Sequence, residues 1–296
     1  MSIFDIFKEK KKETGASVDE LVMVARKLAK NEILIKVTDG VPSAEQSKLG
    51  GLPYLPADFE WPTYTSRDDG ETRPLSFFCQ INLTQVRDYD RDDVLPHSGM
   101  LYFFYECESS LWGFDPEDKG AARVFYYDSI EGFAPIELPE AIAEEHRIPN
   151  LAIEFSARSS YPKFEELGLH SSVSCSWENY DKALERLGVE IDCDPEDHKL
   201  LGYADIIQDE MLTECERVSR GLSCGGPESY EATPKEIKEI INQRASDWTL
   251  LMQIGTVEIE DFEWMFGDCG MLYFYIRKGD LAAKNFENTE FSVQCG

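Results

Sequence analysis

Gly99-Met100-Leu101-Tyr102-Phe103 recurs unchanged as Gly270-Met271-Leu272-Tyr273-Phe274. Five consecutive identities carrying a glycine and two aromatics exceed what chance gives in 296 residues. Weaker matches precede each copy in the same order. Pro74 to Ile81 is an apolar run ending in Gln80-Ile81, and Asp247 to Ile254 ends in Gln253-Ile254. Farther upstream, Ser47-Lys48-Leu49-Gly50-Gly51 is matched by His198-Lys199-Leu200-Leu201-Gly202. Three motifs repeated in one order imply an internal duplication, with halves spanning approximately residues 32–156 and 190–295. No low-complexity linker divides them, and the most polar stretch between them is Asp192 to Asp197. The expected architecture is one α+β domain over residues 1–296, with two related, mostly antiparallel β-sheet halves and a few peripheral helices.

Local signals fill in this frame. Ser17 with Glu20 three residues on predicts a capping box opening a helix from Val18 to about Lys30. Glu32 to Val37 alternates Ile33, Ile35 and Val37, which predicts a strand. Leu75 to Leu83 and Gly99 to Glu106 read as buried central strands, repeated as Leu250–Ile254 and Met271–Ile276. Arg123–Tyr127, Leu151–Ser156 and Glu290–Cys295 are further expected strands. Gly50 to Pro62 holds two glycines and three prolines and is expected to be an ordered loop. Helices are expected over Trp177–Leu187, capped by Ser176, and after Thr233-Pro234-Lys235-Glu236, with Thr233 as the cap.

The formal charge is −28, from 57 acidic against 29 basic residues. Phosphate binding needs clustered Lys and Arg, so nucleic acid is not the expected partner; the acidic excess fits either plain solubility, the favoured reading, or the steering of a basic protein partner. No apolar run approaches membrane-spanning length, and Met1 to Lys12 lacks a signal-peptide pattern, so a cytoplasmic location is expected. Eight cysteines without any Cys-x-x-Cys, and histidines without His-x-x-x-His spacing, point to no metal and no cofactor. Cys79, Cys107 and Cys269 read as small core hydrophobes.

Candidate functional residues come from the repeated motifs. Lys48 and Lys199 sit beside glycines, either as cations next to freed backbone amides or as solvated lysines at tight turns, the latter being favoured. Gln80 and Gln253, inside apolar runs, must be hydrogen-bonded, either tying sheet to loop or facing a cleft. His198 has Asp194, Glu196 and Asp197 close by in sequence, which would raise its pKa. Asp268 lies in Gly267-Asp268-Cys269-Gly270, as a turn residue or a cleft carboxylate. No nucleotide-binding or nucleophile-elbow motif occurs, and no catalytic residue is assigned.

Together these segments resemble the YwqG-like family of bacterial proteins, a domain of unknown function. The resemblance runs from Ser47-Lys48-Leu49-Gly50-Gly51-Leu52-Pro53 with Trp61-Pro62, through Phe78 to Leu83 and Leu95 to Phe104. It continues in His198 to Tyr203 with Gln208, Leu251 to Ile254, Gly267-Asp268 with Tyr273-Phe274, and Asp280-Leu281, so it covers about residues 20–295. It implies a cytoplasmic α+β protein with no assigned activity or cofactor, and an association with toxin and immunity gene neighbourhoods suggests an interaction role. Two function classes remain open. One is a non-enzymatic, immunity-like protein that engages a basic partner. The other is an enzyme or small-ligand sensor with a polar cleft between the repeats, lined by Lys48, Gln80, His198, Lys199, Gln253 and Asp268. Oligomeric state is not legible.

Overall fold

The computed structural model describes residues 15–109, 111–190, 198–259 and 262–296. They fall into two compact units, 15–29 with 161–190 and 30–160 with 198–296. Eight α-helices occur among the described residues: α1 (Val18–Leu28), α2 (Leu83–Val86), α3 (Phe164–His170), α4 (Trp177–Glu185), α5 (Leu212–Val218), α6 (Pro227–Ala232), α7 (Lys235–Arg244) and α8 (Lys278–Ala283).

The smaller unit is helical. Glu20 Oε2 accepts from the Ser17 amide at 2.8 Å while Ser17 Oγ accepts from the Glu20 amide at 3.4 Å, so the capping box forms. Leu21 and Ala25, four residues apart on α1, pack with Leu167 of α3 and with Tyr180, Ala183 and Leu184 of α4. Ser176 caps α4 as expected, accepting from the Asn179 amide.

The larger unit is built on ten strands: β1 (Lys30–Thr38), β2 (Lys48–Leu49), β3 (Ser76–Asn82), β4 (Met100–Tyr105), β5 (Ala122–Tyr127), β6 (Leu151–Ser160), β7 (His198–Leu201), β8 (Trp248–Ile254), β9 (Met271–Arg277) and β10 (Thr289–Gln294). Their order across the sheet is β10-β9-β8-β7-β1-β6-β2-β3-β4-β5. Every neighbouring pair is antiparallel. The sheet curls until edge strands β5 and β10 approach one another, nearly closing a barrel. One face of the central strands looks into this barrel and loops cover the other. That is why β4 and β8 are buried at every position and read as continuous apolar runs rather than alternating ones.

The repeated motifs take equivalent places. In the β3–β4 pair, Cys79 faces Phe103 and Gln80 faces Tyr102, after a register shift between Phe77 and Cys79. In the β8–β9 pair, Met252 faces Phe274 and Gln253 faces Tyr273, after a shift between Leu250 and Met252. Each shift inserts one residue, a β-bulge that bends the strand and aids barrel curvature. The corresponding residues also meet each other: Cys79 Sγ lies 3.6 Å from Met252 Sδ, and the Phe103 and Phe274 rings cross with centroids 5.1 Å apart. The glycine heading each repeat has a steric reason. A Cβ on Gly99 would sit 2.2 Å from the Tyr127 carbonyl oxygen, and one on Gly270 would sit 2.2 Å from that of Phe266.

Some local expectations are corrected. Thr233 does not cap α7; its hydroxyl donates to the Ser229 carbonyl at 2.7 Å and accepts from buried Arg217, and the helix begins behind Pro234. Cys269 is exposed at a positive φ in the turn before β9 rather than in the core, because the chain reverses there. The Leu151 strand runs on to Ser160, since its pairing with β1 continues through Lys30.

β10 carries a buried carboxyl whose titration is testable. Burial pushes the Glu290 pKa up to about 7, with Lys119 and Arg277 opposing the shift. The native state therefore holds this proton after the unfolded chain has lost it, so its contribution to stability falls as pH rises from about 4.5 to about 7. Glu290→Gln is expected to be near neutral at pH 5 and to stabilise by roughly 1–2 kcal/mol at pH 8, read by denaturant titration at both pH values. An equal effect at both pH values would place Glu290 in solvent.

Candidate functional site

Two polar clusters stand where the repeated motifs converge. Lys48 of β2 is opposite Gln80 of β3, which is opposite Tyr102 of β4. Lys199 of β7 is opposite Gln253 of β8, which is opposite Tyr273 of β9. Both glutamines are fully buried and tie the sheet to a covering loop. Gln80 Oε1 accepts from the Tyr54 amide at 2.8 Å, and its Nε2 donates to the Ala44 and Gln46 carbonyls at 2.7 Å. Gln253 Oε1 accepts from the Asp205 amide at 3.0 Å, and its Nε2 donates to Asp205 Oδ2 at 2.7 Å. The tyrosine hydroxyls finish the same pattern, Tyr102 donating to the Tyr54 carbonyl and Tyr273 to the Asp205 carbonyl.

The lysines are not solvated. Lys48 is 3% exposed and Lys199 is 1% exposed. The tight turns do form, with φ near +58° at Gly50 and +63° at Leu201, but the chain beyond each turn folds back over its lysine. A two-residue strand such as β2 is too short for alternation to show which way Lys48 points.

The two clusters differ in charge. Lys199 Nζ lies 2.9 Å from Glu32 Oε2 and 2.7 Å from Asp205 Oδ2, and Arg158 bonds the other Glu32 oxygen. Burial alone would lower the Lys199 pKa, but Asp205 and Glu32 outweigh it and the net shift is upward. Lys48 Nζ donates to the Leu52 carbonyl at 2.6 Å and has no acidic partner among the described residues, so burial holds its pKa below the usual lysine value.

His198 is 7% exposed, and its Nδ1 accepts from the Gly255 amide at 3.1 Å, which assigns the ring proton to Nε2 when the ring is neutral. The neighbouring Asp194, Glu196 and Asp197 lie outside the described residues. Asp268 is in an exposed turn closed by the Phe266–Gly270 bridge, and its carbonyl accepts from the Gly296 amide at 3.2 Å. The structure thus joins Lys48 with Gln80, and Lys199 with Gln253 next to His198. Strands β1 and β6 stand between the two groups, a separation of about 14 Å along the sheet.

A groove and a pocket open on the larger unit, and none of these six residues lines either. A groove of about 490 Å³ runs between β1, the end of β7 and α8, lined by Lys30, Asn31, Leu95, Gly202, Leu281 and Lys284 among others. A smaller pocket of about 320 Å³ is walled by aromatics: Tyr105, Trp112, His146, Trp264 and Phe266, with Glu145 and Glu263 beside them. Sequence reasoning missed this pocket because Trp112, His146 and Trp264 are far apart along the chain and share no motif; only the tertiary fold assembles them. Among the described residues no group of three or more His, Cys, Asp or Glu is placed to hold a metal ion, and no helix is long and apolar enough to cross a membrane.

An α+β protein built on one nearly closed, antiparallel ten-stranded sheet is the class these observations define. Residues 47–295 match the family described as "Domain of unknown function (DUF1963)", and the chain belongs to that family. No curated protein matches the chain.

Proposed function

We propose that this is a non-enzymatic binding protein of the bacterial cytoplasm, immunity-like in role, which uses an acidic surface to engage a basic protein partner. The supporting observation is how the chain uses its cations. Against 57 acidic residues it has 29 basic ones, and many of the latter are engaged internally. Lys199 is held between Glu32 and Asp205, Arg220 and Arg277 both pair with Glu216, Arg67 pairs with Asp115, and Arg244 with Asp247. The excess carboxylates are left to solvent, where a field of one sign speeds encounter with a partner of the other. Immobilised protein should retain a basic protein from a bacterial lysate at low salt, and the purified partner should bind progressively more weakly as salt rises. Binding that ignores salt, or no retained partner, rejects this role.

The same reading takes the chain as YwqG-like and the sheet as two copies of one ancestral unit. Sheet order supports the duplication: the strands pair off from the two edges inward, and corresponding residues touch each other as they do across a twofold interface.

A second function is favoured by one residue. The buried Lys48 ammonium has a single carbonyl partner and no carboxylate among the described residues, so a small anion would complete its bonding. In that reading the protein is a small-ligand sensor or an enzyme whose site is built on Lys48 with Gln80 beside it, while His198, Lys199, Gln253 and Asp268 stand apart and take no part. Inorganic phosphate or acetate should then raise the melting temperature of the native protein and leave Lys48→Met unmoved. Equal responses remove it.

A further inference from the structure

The aromatic pocket matches the chemistry of a positively charged side chain. Trp264 is 8% exposed and forms its inner wall, edge-on to His146 at 5.4 Å and to Phe266 at 5.9 Å between ring centroids. Trp112 stands at the mouth, 38% exposed. Ring faces carry negative potential and attract cations held within about 6 Å. Glu145 and Glu263, both exposed, add charge of the same sign, and no lysine or arginine is among the residues lining the pocket.

The protein makes this kind of contact elsewhere with its own cations, Arg277 lying over Trp248 at 4.3 Å and Arg217 over Tyr230 at 3.8 Å. The Trp264 pocket has the aromatic and acidic parts of that arrangement without a resident cation among the described residues. Its indole Nε1–H, buried, also finds no acceptor there. An unsatisfied buried donor is costly, and a peptide brings carbonyl oxygens along with its side chains.

The walls are held in place before any ligand arrives. Glu106 accepts from the Glu108 and Ser109 amides at 3.0 Å, fixing the turn beside Cys107. Tyr105 donates its hydroxyl to the Leu111 carbonyl at 2.6 Å, and the Trp112 carbonyl accepts from the Val293 amide of β10 at 3.0 Å. Preorganised walls lower the ordering cost of binding. At about 320 Å³ the space suits one side chain rather than a folded segment.

We infer that this pocket receives an arginine side chain of the basic partner, its guanidinium stacked on the tryptophan faces and paired with Glu145 and Glu263. Arginine is favoured over lysine because its guanidinium is flat, weakly hydrated and able to meet ring and carboxylate together. This rests on the acidic-surface reading and gives that surface an anchor point.

The test separates the two. A fluorescent octa-arginine peptide is titrated at low salt into the wild-type chain, into Glu145→Gln/Glu263→Gln, into Trp112→Ala, and into the charge-matched control Glu231→Gln/Glu236→Gln, whose positions are exposed and do not line the pocket. The pocket pair and Trp112→Ala should each weaken binding about tenfold, and the control less than about twofold. Equal losses in pocket and control variants overturn the pocket and leave the acidic surface standing. No binding to the wild type overturns both. All substitutions are at exposed positions, and unchanged melting curves confirm that each variant is folded.

Discussion

Lys199→Met is expected to destabilise the protein by about 3 kcal/mol or more, whereas Lys48→Met, at the corresponding position, should change stability by less than about 1 kcal/mol. The two lysines share a motif, a burial level and a place in the sheet, yet their partners differ. Removing the Lys199 ammonium leaves Glu32 and Asp205 facing one another without the cation between them. Breaking a buried ion pair from one side costs about 3–5 kcal/mol because the stranded charge stays desolvated. Arg158 still bonds Glu32, which places the loss toward the lower end. Lys48 strands no charge when removed, since its partner is the Leu52 carbonyl, and losing a buried cation offsets the lost hydrogen bond. Denaturant midpoints at constant m-value measure both. A harmless Lys199→Met would mean that the Glu32 and Asp205 carboxylates are solvated.

Phe103→Ala and Phe274→Ala should each cost about 3–5 kcal/mol, the range for truncating a buried phenylalanine in a packed core. Both residues are fully buried, and their rings contact each other at 72° between planes. They therefore line the same space, and their effects should not add. A double-mutant cycle is expected to show a coupling of about 0.5–1.5 kcal/mol, the worth of an aromatic pair beyond area burial. Simple additivity with small single losses would separate the two strands into different cores.

The fold was legible where the sequence repeats itself. The apolar runs around Gln80-Ile81 and Gln253-Ile254 located β3, β4, β8 and β9 to within two residues. The bulges at Phe78 and Leu251 were not visible, because nothing local distinguishes a residue inserted into an apolar run. Nor was the division of the chain into two units: residues 161–190 pack with 15–29, a pairing over more than 130 positions that no motif announces. The site was read in part. That a glutamine inside an apolar run must be bonded to something was sound for Gln80 and Gln253, and the bonds are to covering loops. The lysines deceived because solvation is the default for that residue, and only the acids on β1 and in the loop after β7 reveal why Lys199 is buried. The Trp264 pocket is a product of tertiary packing alone.

Native-state hydrogen exchange on β4 and β9 tests most directly the claim that both motif copies are held by one core. If Met100–Tyr105 and Met271–Arg277 share that core, their slowest amides open only by global unfolding, with one free energy and one denaturant dependence. Two distinct opening energies, with one strand exchanging while the other stays protected, would contradict the shared core and detach the halves from each other.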